Sequence, residues 1–455
     1  MKKTNDLGKD NILSLVLRLA VPTMIAQFVN VLYSIVDRMY IGNIKGTGDI
    51  ALAGVGVCGP IVTLLSSFGT LVGLGGSILF SMRMGEGSKK KAEQILANSF
   101  LMLTAFSAVL TVTFLILKDR LLMWFGASEV TFPYADQYLT IYTCGTFFAL
   151  MAVGLNYFIN CQGFSTIGMM TVLVGAVSNI ILDPIFIFLL HMDVAGAAVA
   201  TVISQIASCA FAVIFLFSRR VPVRITFGNY QFSLMRRILS LGISPFLILA
   251  TDSVLLIATN AVLQHYGGKS EGDMLITCAT IVQSYMMLIT SPMLGISSGT
   301  QAIISYNYGA KQTARVRRTE KDVLIFCLCF TAFMFIVSRF LPQYFVLLFT
   351  RDTAYIDTSL WGIGVFTMMI IPLSFQYTFV DGLTALGRTK TALGLSILRK
   401  GGYLAFTILL PSFWGARSAF YAEPAADLLA SIVSTMTFLL IFEKHLHARE
   451  LGAEI

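Results

Sequence analysis

The sequence predicts an all-α polytopic membrane protein, twelve transmembrane helices in two pseudo-symmetric six-helix lobes related by a parallel repeat. Three observations predict it: a composition foreign to soluble domains, twelve long apolar stretches, and a faint internal duplication. Of 455 residues, 56% are hydrophobic and 12% charged, where a soluble domain carries about 25% charged residues. The apolar stretches cover residues 14–40, 50–82, 94–117, 134–161, 169–190, 194–218, 236–264, 273–305, 321–340, 355–381, 391–411 and 416–441. Each reaches the ~20 residues needed to cross a ~30 Å hydrocarbon core. At roughly 23 residues per crossing the connecting segments average about 14 residues, too short to hold a soluble catalytic domain.

Met1-Lys2-Lys3 before the first stretch imitates a signal peptide, but the stretch is too long and lacks a small-residue cleavage site, so it reads as a retained helix. The seven cysteines lie in or at the ends of apolar stretches without a CxxC spacing, which favours buried free thiols over disulfides or a metal site. The net charge of +8 could suggest nucleic acid, yet the basic residues are segregated. With the N-terminus inside, cytoplasmic segments hold 21 Lys and Arg and the opposite loops seven, which places both termini in the cytoplasm of a multi-pass plasma (cytoplasmic) membrane protein. The excess charge is then expected to meet anionic lipid heads, not nucleic acid.

The duplication is carried by paired positions. Leu19 to Pro22 answer to Gly242 to Pro245 at an offset of 223, and Gly75 and Gly85 answer to Gly299 and Gly309 at 224. Tyr134, Asp136 and Leu139 answer to Tyr355, Asp357 and Leu360 at 221, then Gly163, Gly168, Gly196 and Ala200 to Gly382, Gly387, Gly415 and Ala419 at 219. Six helices per copy start both copies on one side, so the copies relate by an axis along the membrane normal, and a substrate is expected between the lobes. The expected boundaries are an N-terminal lobe over 1–218, a cytoplasmic linker over 219–235, a C-terminal lobe over 236–442 and a cytoplasmic tail over 443–455. Gly69, Gly73, Gly75 and Gly76 in the second stretch form a small-residue surface for close helix packing.

Polar groups at membrane depth are costly and therefore informative. In the first stretch Thr23, Gln27, Asn30, Ser34 and Asp37 are spaced 4, 3, 4 and 3 apart, one helical face. In the fifth, Asn179 and Asp183 share a face, followed by Pro184; in the sixth, Thr201 and Gln205 do. If these helices meet, Asp37, Asn179, Asp183 and Thr201 supply hard oxygen ligands for a small cation such as Na⁺, and two adjacent carboxylates could instead share a proton. Gln27, Asn30, Ser34 and Gln205 are candidates for lining a substrate cavity. Solvated helix caps remain the competing reading of Asp37 and Asp183. The second half carries another polar network, Asp252, Asp381, Arg399 with Lys400, Glu423 and Asp427, for which structural ion pairing is the favoured reading. Four histidines in loops or tail, and no Walker A, GxSxG, HExxH or GxGxxG context, argue against an enzyme or a bound cofactor, so the energy for work must come from an ion gradient or the substrate's own.

Pro22 to Gln27, Ser34-Ile35-Val36-Asp37 with Tyr40-Ile41-Gly42, Gln162-Gly163, Asn179-x3-Asp183-Pro184, Gly196 to Thr201 and Glu423-Pro424-Ala425-Ala426-Asp427 together resemble the multidrug and toxic compound extrusion (MATE) family over nearly the whole chain. The resemblance implies a cation-coupled antiporter whose two lobes alternate between inward-facing and outward-facing states and export amphipathic, cationic organic compounds. In the branch resembling DNA-damage-inducible F proteins, it implies that Asp37, Asn179, Asp183 and Thr201 hold H⁺ or Na⁺. Arg38 departs from the family pattern, in which a small or neutral residue follows the aspartate, and would compete with a cation if it turned towards Asp37. The alternatives are a lipid-linked glycan flippase of the same superfamily and a non-transporting receptor or scaffold. The partners implied are a small amphipathic substrate and the bilayer, with no obligate protein partner.

Overall fold

A computed structural model describes residues 5–125 and 127–451. The described residues form helices joined by short turns, with no strand among them. In chain order they are α1 (Ile12–Gly42), α2 (Gly48–Gly85), α3 (Lys89–Trp124), α4 (Phe132–Cys144), α5 (Thr146–Cys161), α6 (Ser165–Pro184), α7 (Asp193–Phe217), α8 (Phe232–Gly309), α9 (Thr313–Phe340), the short α10 (Pro342–Val346), α11 (Thr353–Phe366), α12 (Ile370–Ala385), α13 (Thr389–Trp414) and α14 (Ala422–Glu450). Eleven spans are long and apolar enough to cross a bilayer, and the bent pair α4 and α5 makes a twelfth. Each predicted stretch has its span.

The places where helix and stretch diverge have local causes. α4 and α5 form one stretch bent by 58° at Gly145, where a Cβ would meet Val202 Cγ2 at 2.7 Å, so only glycine lets α7 come this close. α8 contains two stretches broken at Gly268, whose φ of 61° and ψ of −159° lie where side-chain-bearing residues are strained. After Pro184 the chain makes a π-helical turn over Ile185–Leu189, because proline cannot donate the backbone bond that would continue α6.

The chain divides into two compact units. The first joins the residues up to Asp10 with Ile25–Ala250, and the second joins Asn11–Met24 with the chain from Thr251 on. The division falls inside α1 and α8. Within the first unit α2 crosses α5 at glycine: a Cβ on Gly73 would lie 2.7 Å from the Gly154 Cα, so the small-residue surface serves close packing. Phe80 and Phe158 meet edge to face at 5.7 Å beside it. The segment over 219–235 packs on this unit, burying Val221, Val223 and Ile225. The Val223 amide donates to Gln162 Oε1 at 3.0 Å, and the Gln231 amide donates to Asn98 Oδ1 at 2.9 Å. Gln162 of the resemblance motif is thus a clasp for this segment.

In the second unit Phe379, Phe438 and Phe442 stack at 4.2 and 4.3 Å between α12 and α14. Thr23 belongs here, donating to the Gly295 carbonyl at 2.7 Å. α14 continues to Glu450, and Arg449 donates to the carbonyls of Tyr308 and Gly309 at 3.1 and 2.9 Å, supplying donors to the C-terminal end of α8. All seven cysteines are free, but Cys144 and Cys329 are exposed, not buried as expected. Apolar sequence alone does not separate a lipid-facing side from a protein-packed one.

Candidate cation site

The first unit gathers polar groups from four helices. Asp183 ends α6 immediately before Pro184 and the π turn, and it is fully buried. One turn earlier Asn179, 2% exposed, donates from Nδ2 to Asp183 Oδ1 at 3.0 Å and lies 3.5 Å from Thr201 Oγ1 of α7. The Thr201 hydroxyl itself donates to the Ala197 carbonyl at 3.0 Å, so its oxygen faces the site as an acceptor, where Asn179 Nδ2 meets it. Half-buried Asp37 of α1 lies close enough to Asp183 for the two carboxyls to influence each other. The four residues expected to hold a cation therefore converge.

Three acceptor oxygens in this set are buried without a partner: Asp37 Oδ1, Asn179 Oδ1 and Asp183 Oδ2. Ionised carboxylates only accept hydrogen bonds, so a close carboxyl pair is satisfied by a proton between them or a cation among them. The oxygen-only donor set suits a hard monovalent ion. Arg38 is exposed, and among the described residues no ion pair joins it to Asp37.

Three tyrosines complete the wall. Tyr33 lies one turn before Asp37 and near both carboxyls, Tyr138 of α4 adjoins Thr201, and Tyr142 reaches both Gln205 and the Ser66 hydroxyl, the latter at 3.3 Å. Among the candidate cavity residues Gln205 joins the cluster this way, while Gln27 and Ser34 are half-buried and Asn30 is exposed on α1. The tyrosines were absent from the sequence reading. The one available signal was Tyr33 at the i−4 position from Asp37, on the same face.

The second-half residues separate into two groups. Arg399 is buried at the α13–α14 contact, donating from Nε to Asp427 Oδ1 at 2.7 Å and from Nη2 to Glu423 Oε1 at 2.8 Å, with its guanidinium 5.7 Å from the Tyr377 ring centre. Lys400 pairs with Asp252. Asp381 instead accepts a hydrogen bond from Ser297 and adjoins Gln301.

Fold and site together define a polytopic membrane protein with a buried acidic pair in one of two duplicated halves. The MatE family profile matches residues 22–185 and again 246–409, and the chain belongs to that family. The two matches begin 224 residues apart, in line with the duplication. Among curated relatives, the multidrug export protein MepA of Staphylococcus haemolyticus is 25% identical over 434 residues, 94% of this chain and 93% of that protein. MepA of Staphylococcus aureus is 23% identical over 443 residues, 96% of this chain and 95% of its own length. Solved structures share the fold at lower identity. An outward-facing multidrug resistance MATE family transporter of the MOP superfamily superposes with a TM-score of 0.90 at 21% identity, covering 98% of this chain and 99% of that one. A MOP superfamily transporter from Pyrococcus furiosus, whose binding pocket is described as reversed in polarity, gives 0.90 at 22% identity, covering 99% of this chain and 100% of that one.

Proposed function

We propose that the protein is a multidrug efflux antiporter of the MatE family in which H⁺ or Na⁺, bound by Asp37, Asn179, Asp183 and Thr201, drives export of amphipathic organic cations. The observation that carries this reading is the neighbouring Asp37 and Asp183 carboxyls with three buried, unpartnered acceptor oxygens on Asp37, Asn179 and Asp183. A buried charge without a partner is strongly destabilising, so such a set favours a state in which an ion or proton is bound. The multidrug export function of the MepA relatives, matched over nearly their full length, supports the substrate class. Alternating access follows if occupancy of the site favours one arrangement of the helices that carry its ligands. The 21-to-7 distribution of basic residues supports an orientation with both termini in the cytoplasm.

The test is ethidium efflux from liposomes holding the purified protein under an imposed Na⁺ or H⁺ gradient, with Asp37→Asn alongside. The expected result is efflux driven by one gradient and abolished in the variant. Efflux that persists when both gradients are collapsed would remove the coupling, and efflux unchanged in Asp37→Asn would remove this site.

A further inference from the structure

The second unit contains a buried glutamate beside a half-buried aspartate that the first-unit site does not explain. Glu320, in the second turn of α9, is 4% exposed, and both its carboxylate oxygens are buried without a partner. Its carboxylate lies against Gly382 of α12, the residue after Asp381, and within electrostatic reach of the Asp381 carboxyl. Asp381 accepts from the Ser297 hydroxyl of α8, and Gln301, one turn further along α8 and 2% exposed, adjoins it. Neither amide atom of Gln301 makes a hydrogen bond of good geometry, and the buried Thr378 hydroxyl one turn before Asp381 also lacks one. The Glu320 carboxylate occupies the space above Gly382 that a side chain would fill: a Cβ there would stand 2.4 Å from Oε1.

The charged neighbours do not neutralise the pair. Exposed Arg318 is engaged by buried Asp322 at 3.1 Å, and Lys321 is exposed. Cys327 is the neighbouring thiol on α9, and Tyr377 of α12 lies under Arg399. Among the described residues no Lys or Arg forms an ion pair with Glu320 or Asp381. A buried and a half-buried carboxyl, a free carboxamide and a free hydroxyl are an oxygen cage lacking its positive charge.

We propose that Glu320 and Asp381, with Ser297 and Gln301, form a second monovalent-cation site, taking Na⁺ or a proton, in the C-terminal half of the protein. It is no copy of the first. At the 224-residue offset that pairs Gly75 with Gly299, Ser297, Gln301 and Glu320 fall on Gly73, Ser77 and Leu96, and at the 219-residue offset that pairs Gly163 with Gly382, Asp381 falls on Gln162, none of them acidic. The site therefore belongs to the second half alone and goes beyond the coupling role assigned above.

The test reads binding, not transport, in full-length protein whose first site is silenced by Asp37→Asn with Asp183→Asn. Radioactive Na⁺ binding measures the sodium form, and infrared difference spectra across a pH jump measure a protonated carboxyl. The expected result is that the doubly substituted protein still binds Na⁺ or still shows a titrating carboxyl band, and that adding Glu320→Gln abolishes whichever is seen. Asp381→Asn is the second variant, expected to act the same way, and covers the case in which Glu320→Gln does not fold. A doubly substituted protein that neither binds Na⁺ nor shows a band, or whose signal survives both substitutions, overturns the proposal whatever the outcome for efflux.

Discussion

Thr201 separates the two ions that could occupy the first-unit site. A Na⁺ needs several oxygen ligands at once, whereas a proton needs only the carboxyl pair. Thr201→Val keeps the shape of the side chain and removes one oxygen. Losing one such contact costs about 1.4 kcal/mol, or about tenfold in affinity. If Na⁺ is the ion, the half-saturating Na⁺ concentration for efflux is expected to rise by about that factor. If a proton is the ion, the pH dependence of efflux should be nearly unmoved, and a large pH shift in Thr201→Val would contradict the ligand assignment. At this scale the sequence was legible where spacing carried the signal. Asn179 and Asp183 at i and i+4 had to share a face, and the structure joins them at 3.0 Å. Glu320 was not legible, because it stands one residue before the ninth apolar stretch in Arg315-Val316-Arg317-Arg318-Thr319-Glu320-Lys321, a run that reads as a solvated loop. Helix α9 begins at Thr313 and carries Glu320 into the packed interior.

Between elements, the α13–α14 contact depends on one cation. Arg399, 8% exposed, serves Asp427 and Glu423 together, so its removal leaves two carboxylates facing each other without a counter-ion. Breaking a buried pair from one side costs roughly 3–5 kcal/mol. Arg399→Gln is expected to lower the thermal midpoint of the purified protein markedly, and adding Asp427→Asn to recover part of the loss. A midpoint equal to the unsubstituted protein's would show that the pairing contributes nothing. The α2–α5 crossing makes a second demand. Gly73→Val places a side chain against the Gly154 backbone, and overpacking of this kind costs about 1–3 kcal/mol, read as the same loss of midpoint. The sequence showed glycines at the right positions on α2, but their partner could not be read from it: Gly154 lies in a distant stretch whose register against α2 is set only when the helices pack.

For the whole molecule, duplication sets the frame without duplicating the chemistry. At the 219-residue offset that pairs Gly163 and Gly196 with Gly382 and Gly415, Asn179 and Asp183 fall on Leu398 and Gly402, both neutral where the first half holds an acidic residue and its amide partner. The number of spans could be read in advance because bilayer thickness fixes helix length. The unit boundaries inside α1 and α8 could not be, since continuous helices give no composition break at residues 24 and 250. Orientation is the remaining property of the whole chain, and charge argues it. Each Lys or Arg near an anionic leaflet gains about 1 kcal/mol, so 21 on one side against seven on the other favours the proposed orientation with both termini in the cytoplasm. After replacement of the exposed Cys144 and Cys329 by serine, Lys90→Cys and Arg224→Cys are expected to react with a membrane-impermeant maleimide only when the cytoplasmic face is opened. Lys45→Cys and Arg351→Cys should react in intact cells. The reverse pattern would mean that the basic loops lie outside and would overturn the cytoplasmic placement of both termini.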